Sequence, residues 1–149
     1  MPQTIEQELA TRGCSLFQTV GNSMEPLLHN RKSTVVIEKK QGRLKTGDVA
    51  LYRRPAGEYV LHRVVKVLDG AYLICGDNRL WKETVPEGWI IGVMVGYYQT
   101  EADDYVPCTE ENVRRYLKSI RLRRCRLWLS ALPGRVSRKL RNSFSVEKR

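Results

Sequence analysis

The sequence has few of the residues that build metal sites or disulfide frameworks. Its 149 residues include two histidines and four cysteines, Cys14, Cys75, Cys108 and Cys125, and no two of these cysteines form a Cys-x-x-Cys pair. Zinc sites need several such ligands at short spacing, so we expect no metal. We interpret the four cysteines as reduced thiols of a cytoplasmic protein.

The sequence also lacks a long hydrophobic run. The longest mainly apolar stretch, residues 89–98, is about half of the roughly 20 residues that a membrane span requires. The first fourteen residues contain Glu6, Glu8 and Arg12 and no apolar core, so we do not expect a signal peptide there. These features predict a cytoplasmic protein, at most peripheral at the inner face of the membrane.

Charge is unevenly distributed along the chain. Lys and Arg outnumber Asp and Glu by 26 to 16, a net charge of +10. Residues 114–149 contain thirteen Lys or Arg and one acidic residue, Glu147, so the basic character belongs to the end of the chain. The length suits a single core. We therefore predict a β domain over residues 1–108 and a basic amphipathic helix and tail over residues 109–149.

Short apolar and β-branched segments alternate with turn residues through the first hundred positions. They predict strands over residues 16–20, 33–39, 49–53, 59–68, 71–75 and 89–98. Asp69-Gly70 predicts a tight hairpin, and Gly92 and Gly96 predict bulges or close backbone approach. With a short helix over residues 4–11, this pattern is typical of a mainly β fold with a coiled, barrel-like antiparallel sheet.

One loop has the features that a nucleophile requires. Gly21-Asn22-Ser23-Met24-Glu25-Pro26 follows the first predicted strand, and Pro26 restricts Glu25 to extended geometry. A serine between a permissive glycine and a proline would present its hydroxyl at the end of a strand, clear of the main chain. The same residues also occur in ordinary turns, so the loop alone does not decide between the two.

Two later stretches, together with the Ser23 loop, resemble the motifs of a known superfamily. Leu61-His62-Arg63-Val64 and Gly76-Asp77-Asn78 follow the Ser23 loop in the order found in the superfamily that joins type I signal peptidases to self-cleaving repressor proteases. The match covers roughly residues 16–98. It resembles the variant with a histidine base, and in particular its soluble bacterial members. The fold implied is the coiled antiparallel β domain of that superfamily. Its membrane-bound members carry an N-terminal span, and we do not expect such a span here.

The resemblance implies catalytic roles for three residues. Ser23 would be the nucleophile, His62 its general base, and Asp77 the group that orients His62. The alternatives are a strand histidine with local partners and an aspartate that caps the turn. Histidine-type relatives have a second acidic residue after the turn, and here only Glu83 could fill that place. His29 is a weaker candidate for the base, because it is close to Ser23 in a polar turn.

The same resemblance assigns the surroundings of the serine. The backbone N–H of Ser23 would stabilise the oxyanion, Asn22 would add a side-chain donor, and Gly21 would let the substrate backbone approach. Met24 would pack below the serine. The substrate would add a strand along residues 17–20 and along a second segment, which consists of Tyr59, Val60 and Leu61.

The sequence therefore predicts a serine endopeptidase without a cofactor that cleaves a precursor or leader-bearing peptide. Cleavage of the chain itself has little support, because too few residues precede Ser23 for a helix-turn-helix domain. Alternatives are an inactive peptide-binding protein of the same fold and a nucleic-acid-associated regulator, although no nucleic-acid motif is present. The basic helix would pack on the domain or bind anionic membrane through Trp128 and nearby leucines. The oligomeric state is left open.

Overall fold

The structure is a computed structural model, and it describes residues 4–131. In that range an eight-stranded antiparallel sheet has the strand order β1-β2-β7-β3-β4-β5-β6, with β8 paired to β7. In chain order the elements are α1 (Ile5–Arg12), β1 (Cys14–Gln18), β2 (Thr34–Lys39), β3 (Val49–Arg53), β4 (Tyr59–Leu68), β5 (Ala71–Cys75), β6 (Glu83–Pro86), β7 (Ile90–Tyr98), β8 (Val106–Pro107) and α2 (Glu110–Ala131). A 3-10 turn, Glu87–Trp89, precedes β7.

The prediction of a mainly β fold with a helix near each end is confirmed. The hairpin between β4 and β5 turns at Asp69-Gly70, where Gly70 has a positive φ of 65°. Two short strands, β6 and β8, were not predicted. Each has at most four residues and ends in a proline. Neither is therefore long enough to show the alternation of apolar and polar residues that predicts a strand.

The first strand begins earlier than predicted. Pairing with β2 runs from Cys14 opposite Glu38 to Gln18 opposite Thr34. Thr19 and Val20 therefore belong to the loop that leads to Ser23. The hydrophobic segment predicted the strand, but its bounds follow from the pairing with β2, which local sequence does not show.

Strand β3 is buried on both faces and lies at the centre of the molecule. Its alternate residues enter two different core clusters: Val49 and Leu51 enter one, and Ala50 and Tyr52 enter the other. Alternation along a strand sends successive side chains to opposite faces.

The first cluster also contains Met24, Leu27 and Leu28 of the Ser23 loop. Burial of each such side chain contributes about 1.5–3 kcal/mol, which anchors the loop to the core.

The glycines of β7 occupy crowded positions, as predicted. A Cβ on Gly92 would lie 2.5 Å from Ile37 Cγ2, and a Cβ on Gly96 would overlap the ring of Tyr105. The register between β2 and β7 shifts between Val36 and Ile37, beside Gly96. Both positions therefore require glycine, and the shift is a bulge.

Helix α2 packs along the domain. Thr109 Oγ1 accepts a hydrogen bond from the Asn112 N–H at 3.2 Å, which caps the first turn. Ile120 is buried, and the Tyr116 ring packs against Arg63, 4.9 Å from its guanidinium carbon. The rest of the predicted helix and tail, residues 132–149, lies outside the described residues. Among residues 4–131, no helix has the length and apolar character needed to span a bilayer.

Candidate active site

The turn that contains Asp77 is bonded to the loop that contains Ser23. The Asn78 N–H donates to the Ser23 carbonyl at 2.8 Å, and Asn78 Nδ2 donates to the Asn22 carbonyl at 3.2 Å. Arg79 Nη2 donates to Asn22 Oδ1 at 2.9 Å. Two motifs more than fifty residues apart in the sequence therefore form one unit.

Gly76 lies where all three motifs meet. A Cβ on Gly76 would lie 2.7 Å from the Ser23 carbonyl oxygen and 3.2 Å from His62 Nε2. Since a real Cβ essentially never approaches a backbone oxygen that closely, only glycine fits without displacing the Ser23 loop. The sequence predicted the turn but did not assign this role to Gly76.

Ser23 and His62 line the same cleft, which has a volume of about 280 Å³. Most of the predicted site residues lie there: Gly21, Ser23, Met24, Tyr59, Val60, Leu61 and His62. Ile5 of α1 and Leu51 of β3 also contribute, and no sequence pattern indicated either residue. In the described part of the chain, no hydrogen bond joins the Ser23 and His62 side chains. Such bonds are often long before substrate binds.

Asn22 and His29 lie outside this cleft. Asn22 Oδ1 accepts a hydrogen bond from Arg79, and a role of the Asn22 side-chain N–H as an oxyanion donor stays a prediction. The backbone N–H of His29 donates to Ser33 Oγ at 2.7 Å, which places this residue in the turn that leads to β2. His62 is the histidine that shares the cleft with Ser23.

Two strand segments that line the cleft have an unpaired side. Among the strands described within residues 4–131, β1 pairs with β2 alone. The first part of β4, from Tyr59 to His62, pairs with β3, and its pairing with β5 begins only at Arg63. Unpaired backbone N–H and C=O groups on both walls of a cleft can bind an extended peptide by strand addition.

His62 is held in its neutral form. Burial lowers its pKa to about 4, and the nearby carboxylate of Glu83 only partly opposes this shift. A neutral imidazole has one nitrogen that can accept a proton. At neutral pH, His62 can therefore act as a base.

The position of Tyr52 favours one tautomer of His62. Tyr52 Oη donates to Glu83 Oε2 at 2.9 Å and lies 3.5 Å from His62 Nδ1. Burial, together with the hydrogen bond to Glu83, raises the pKa of Tyr52 well above its usual range, so the phenol stays protonated. Because its single proton goes to Glu83, its oxygen can only accept from Nδ1–H. That tautomer leaves Nε2, the nitrogen nearest Gly76, unprotonated.

Glu83 is an anion held by Arg54. Arg54 donates to its two oxygens at 3.1 and 2.7 Å, and these hydrogen bonds are the main cause of the lowered pKa of Glu83. The residue predicted as a second acid therefore reaches His62, but through Tyr52. The role of Tyr52 was missed by the sequence analysis, because only the pairing of β3 with β4 brings it beside His62.

Asp77 makes a different contact from the one predicted. It is fully buried, and its two carboxylate oxygens accept from Arg63 Nε at 2.8 Å and Arg63 Nη2 at 2.7 Å. No hydrogen bond between Asp77 and His62 occurs among residues 4–131. His62 and Arg63 are neighbours on β4, so their side chains leave opposite faces of the strand. Asp77 pairs with the side chain on the Arg63 face.

No group of three His, Cys, Asp or Glu side chains within residues 4–131 could hold a metal ion. The four cysteines are free thiols. Among the residues that line the cleft, Ser23 carries a hydroxyl that could act as a nucleophile and His62 an imidazole that could act as its base.

Comparison with known proteins adds no relative. No model of a protein family matches the chain, and no curated protein matches it.

Proposed function

We propose that this protein is a serine peptidase in which Ser23 is the nucleophile and His62 the general base. The observation that carries the proposal is the shared cleft, where Ser23 and His62 line one cavity. This pairing of nucleophile and base, with a third group that orients the base, is the arrangement by which serine hydrolases activate a hydroxyl.

The geometry supports an ordinary two-step mechanism. Ser23 Oγ attacks the carbonyl carbon of a peptide bond while His62 Nε2 takes the hydroxyl proton. The backbone N–H of Ser23 donates to the oxyanion. His62 then gives its proton to the leaving amine, and an acyl-enzyme remains on Ser23. Water, deprotonated by His62, hydrolyses that ester and restores the enzyme.

Tyr52 and Glu83 are the positioning residues of this mechanism. When His62 becomes an imidazolium, its Nδ1–H faces the Tyr52 oxygen, and the negative charge of Glu83 lies just beyond. Asp77 acts on the nucleophile loop instead. Paired with Arg63, it fixes the turn whose Asn78 binds the Ser23 carbonyl.

The cleft suits an extended peptide with apolar side chains. Its walls include Phe17, Val20, Met24 and Leu61. The volume of about 280 Å³ lies just below the range for ligand pockets, about 300–1,000 Å³. It can hold one or two side chains of a peptide strand but no compact structure. A precursor or leader-bearing peptide with an accessible unfolded segment meets this requirement.

The proposal is tested with a library of unstructured peptides, in which new termini are mapped by mass spectrometry. Wild type is expected to generate new termini, and Ser23→Ala and His62→Ala are expected to generate none. His29→Ala is the matched control, because this histidine lies outside the cleft, and it should retain cleavage. New termini that persist in Ser23→Ala, or their absence with folded wild type, would overturn the proposal.

A catalytically inactive peptide-binding protein is the second candidate. The absence of a hydrogen bond between Ser23 and His62 in the described residues favours it. In that case a peptide would bind the two unpaired strand segments with the same affinity in wild type and in Ser23→Ala, and it would never be cut.

The location of the reaction is a further part of the proposal. Leu122, Trp128 and Leu129 of α2 are exposed among arginines, a combination that suits the surface of an anionic membrane. Full-length protein is therefore expected to float with anionic liposomes and not with zwitterionic ones. Equal flotation with both, or with neither, would remove membrane contact from the proposal.

A further inference from the structure

A second and larger cavity lies between helix α2 and the sheet. Its volume is about 650 Å³, and it has no lining residue in common with the cleft that holds Ser23. Strand β7, the loop before β3 and the N-terminal half of α2 form its walls. The volume falls within the range of about 300–1,000 Å³ that is typical of ligand sites.

The inner walls of this cavity are apolar. They consist largely of aliphatic side chains from the sheet and the helix: Leu27, Leu44, Val49, Val93, Met94, Val113 and Leu117. The helix meets the domain closely beside it, since a Cβ on Gly47 would lie 3.1 Å from Val113 Cγ1 and 3.3 Å from Leu117 Cδ1. Arg63 also lines the cavity, but its guanidinium is already bonded to Asp77 and to the Gly47 carbonyl.

The rim of the cavity is basic. Arg114, Lys118 and Arg121 line it at a spacing that places them on one face of α2. All three are exposed, and no salt bridge to an acidic residue is formed by any of them within residues 4–131. Lys45 and Glu110 at the same rim pair with each other at 3.2 Å. Asp48 also lines the cavity and accepts a hydrogen bond from the Lys45 N–H at 2.8 Å, so basic residues still outnumber acidic ones there.

We propose that this cavity binds a single-chain anionic amphiphile of the kind represented by a long-chain carboxylate. The apolar walls would take up the hydrocarbon chain, and the cations of α2 would bind the acidic head group at the rim. The end of the chain itself is a poor occupant, because residues 132–149 contain six Lys or Arg and one Glu. A nucleic acid would use the rim but not the apolar interior.

The first test is titration of full-length protein by calorimetry with dodecanoate, below the concentration at which it forms micelles. Butyrate has the same head group without the chain, and dodecylphosphocholine has the same chain without net charge. We expect saturable one-to-one binding of dodecanoate, no measurable binding of butyrate, and at least tenfold weaker binding of dodecylphosphocholine. Binding to anionic phospholipid vesicles without binding to dodecanoate would overturn the proposal.

Two pairs of charge reversals locate the site. Arg114→Glu with Lys118→Glu alters the rim, whereas Arg115→Glu with Arg126→Glu makes the same change in charge at exposed positions that do not line the cavity. The first pair is expected to weaken dodecanoate binding at least tenfold, and the second less than threefold. Equal losses would mean that the helix attracts anions without a site, which contradicts the proposal.

Alkylation of the cysteine thiols reports on ligand binding in the wild-type protein, without any substitution. Cys108 lines the cavity, whereas Cys14 lies on β1 outside it. Dodecanoate is expected to slow the alkylation of Cys108 by N-ethylmaleimide severalfold, as mapped by mass spectrometry, and to leave Cys14 unchanged. Unchanged alkylation of Cys108 at saturating dodecanoate would place the ligand elsewhere. None of these measurements depends on peptidase activity.

Discussion

Arg63 donates two parallel hydrogen bonds of 2.8 and 2.7 Å to the Asp77 carboxylate, and both side chains are buried. A third bond from Arg63 goes to the Gly47 carbonyl at 2.7 Å, and Tyr116 of α2 covers the guanidinium. The pair therefore joins β4, the turn beside Ser23 and the C-terminal helix. It is a structural support of the site, one residue away from the base.

Asp77→Ala is expected to lower the free energy of unfolding by about 3–5 kcal/mol, because it leaves the buried charge of Arg63 without a partner. Urea denaturation measures the loss. Glu58→Ala is the control, since it breaks an exposed pair with Arg54 and should cost less than about 1 kcal/mol. A variant of Asp77 with wild-type stability but no activity would instead support the predicted role of orienting His62.

Gly76→Ala is expected to reduce activity by about 100-fold. The new methyl would displace the Ser23 carbonyl or the His62 ring, and a misplacement of about 1 Å can have an effect of that size. Gly88→Ala is the matched control, because nothing lies within 4 Å of its added Cβ. The measurement is the rate at which a serine-directed peptidyl reagent labels each variant. Equal rates would show that the three motifs do not meet as described.

Tyr52→Phe is expected to slow labelling about tenfold, because it removes the oxygen that fixes Nδ1–H and costs about one hydrogen bond. Tyr72→Phe removes another buried tyrosine hydroxyl, which bonds the Leu44 N–H and Glu87 away from the cleft. It should leave the rate unchanged. If both variants retain the wild-type rate, Tyr52 does not position the base.

The pH profile of labelling is expected to have its acid limb near pH 4. Because burial lowers the pKa of His62 to about 4, the neutral base persists well below pH 6.5, the ordinary value for histidine. The unfolded chain would bind a proton first as the pH falls, so the contribution of His62 to stability also declines between about pH 6.5 and 4. An acid limb near pH 6.5 would contradict the buried, neutral state of His62.

The sequence predicted the parts of the fold that local patterns determine. Residues 49–53, 59–68 and 71–75 carry β-branched runs between strong turn signals, and their strands match the structure. Strand β6 has no such pattern, and it forms by pairing with the edge of β5. Pairing between distant segments cannot be predicted from a local sequence pattern.

The candidate site was likewise predictable only where local sequence motifs determine it. The motifs around Ser23 and His62 indicated residues that share a cleft. The partners of His62 could not be predicted, because they depend on which face of β4 each side chain leaves and on the register with β3. His62 and Arg63 are consecutive and leave opposite faces of β4, so Asp77 pairs with the arginine while Tyr52 and Glu83 lie beside the histidine.

The most direct test of the proposed function is covalent labelling with a peptidyl reagent directed at activated serines, followed by intact mass and peptide mapping. Wild type and the control His29→Ala are expected to gain one adduct, located on Ser23, and Ser23→Ala and His62→Ala are expected to gain none. Folded wild-type protein that gains no adduct, or an adduct mapped to another residue, would contradict an activated serine in this cleft.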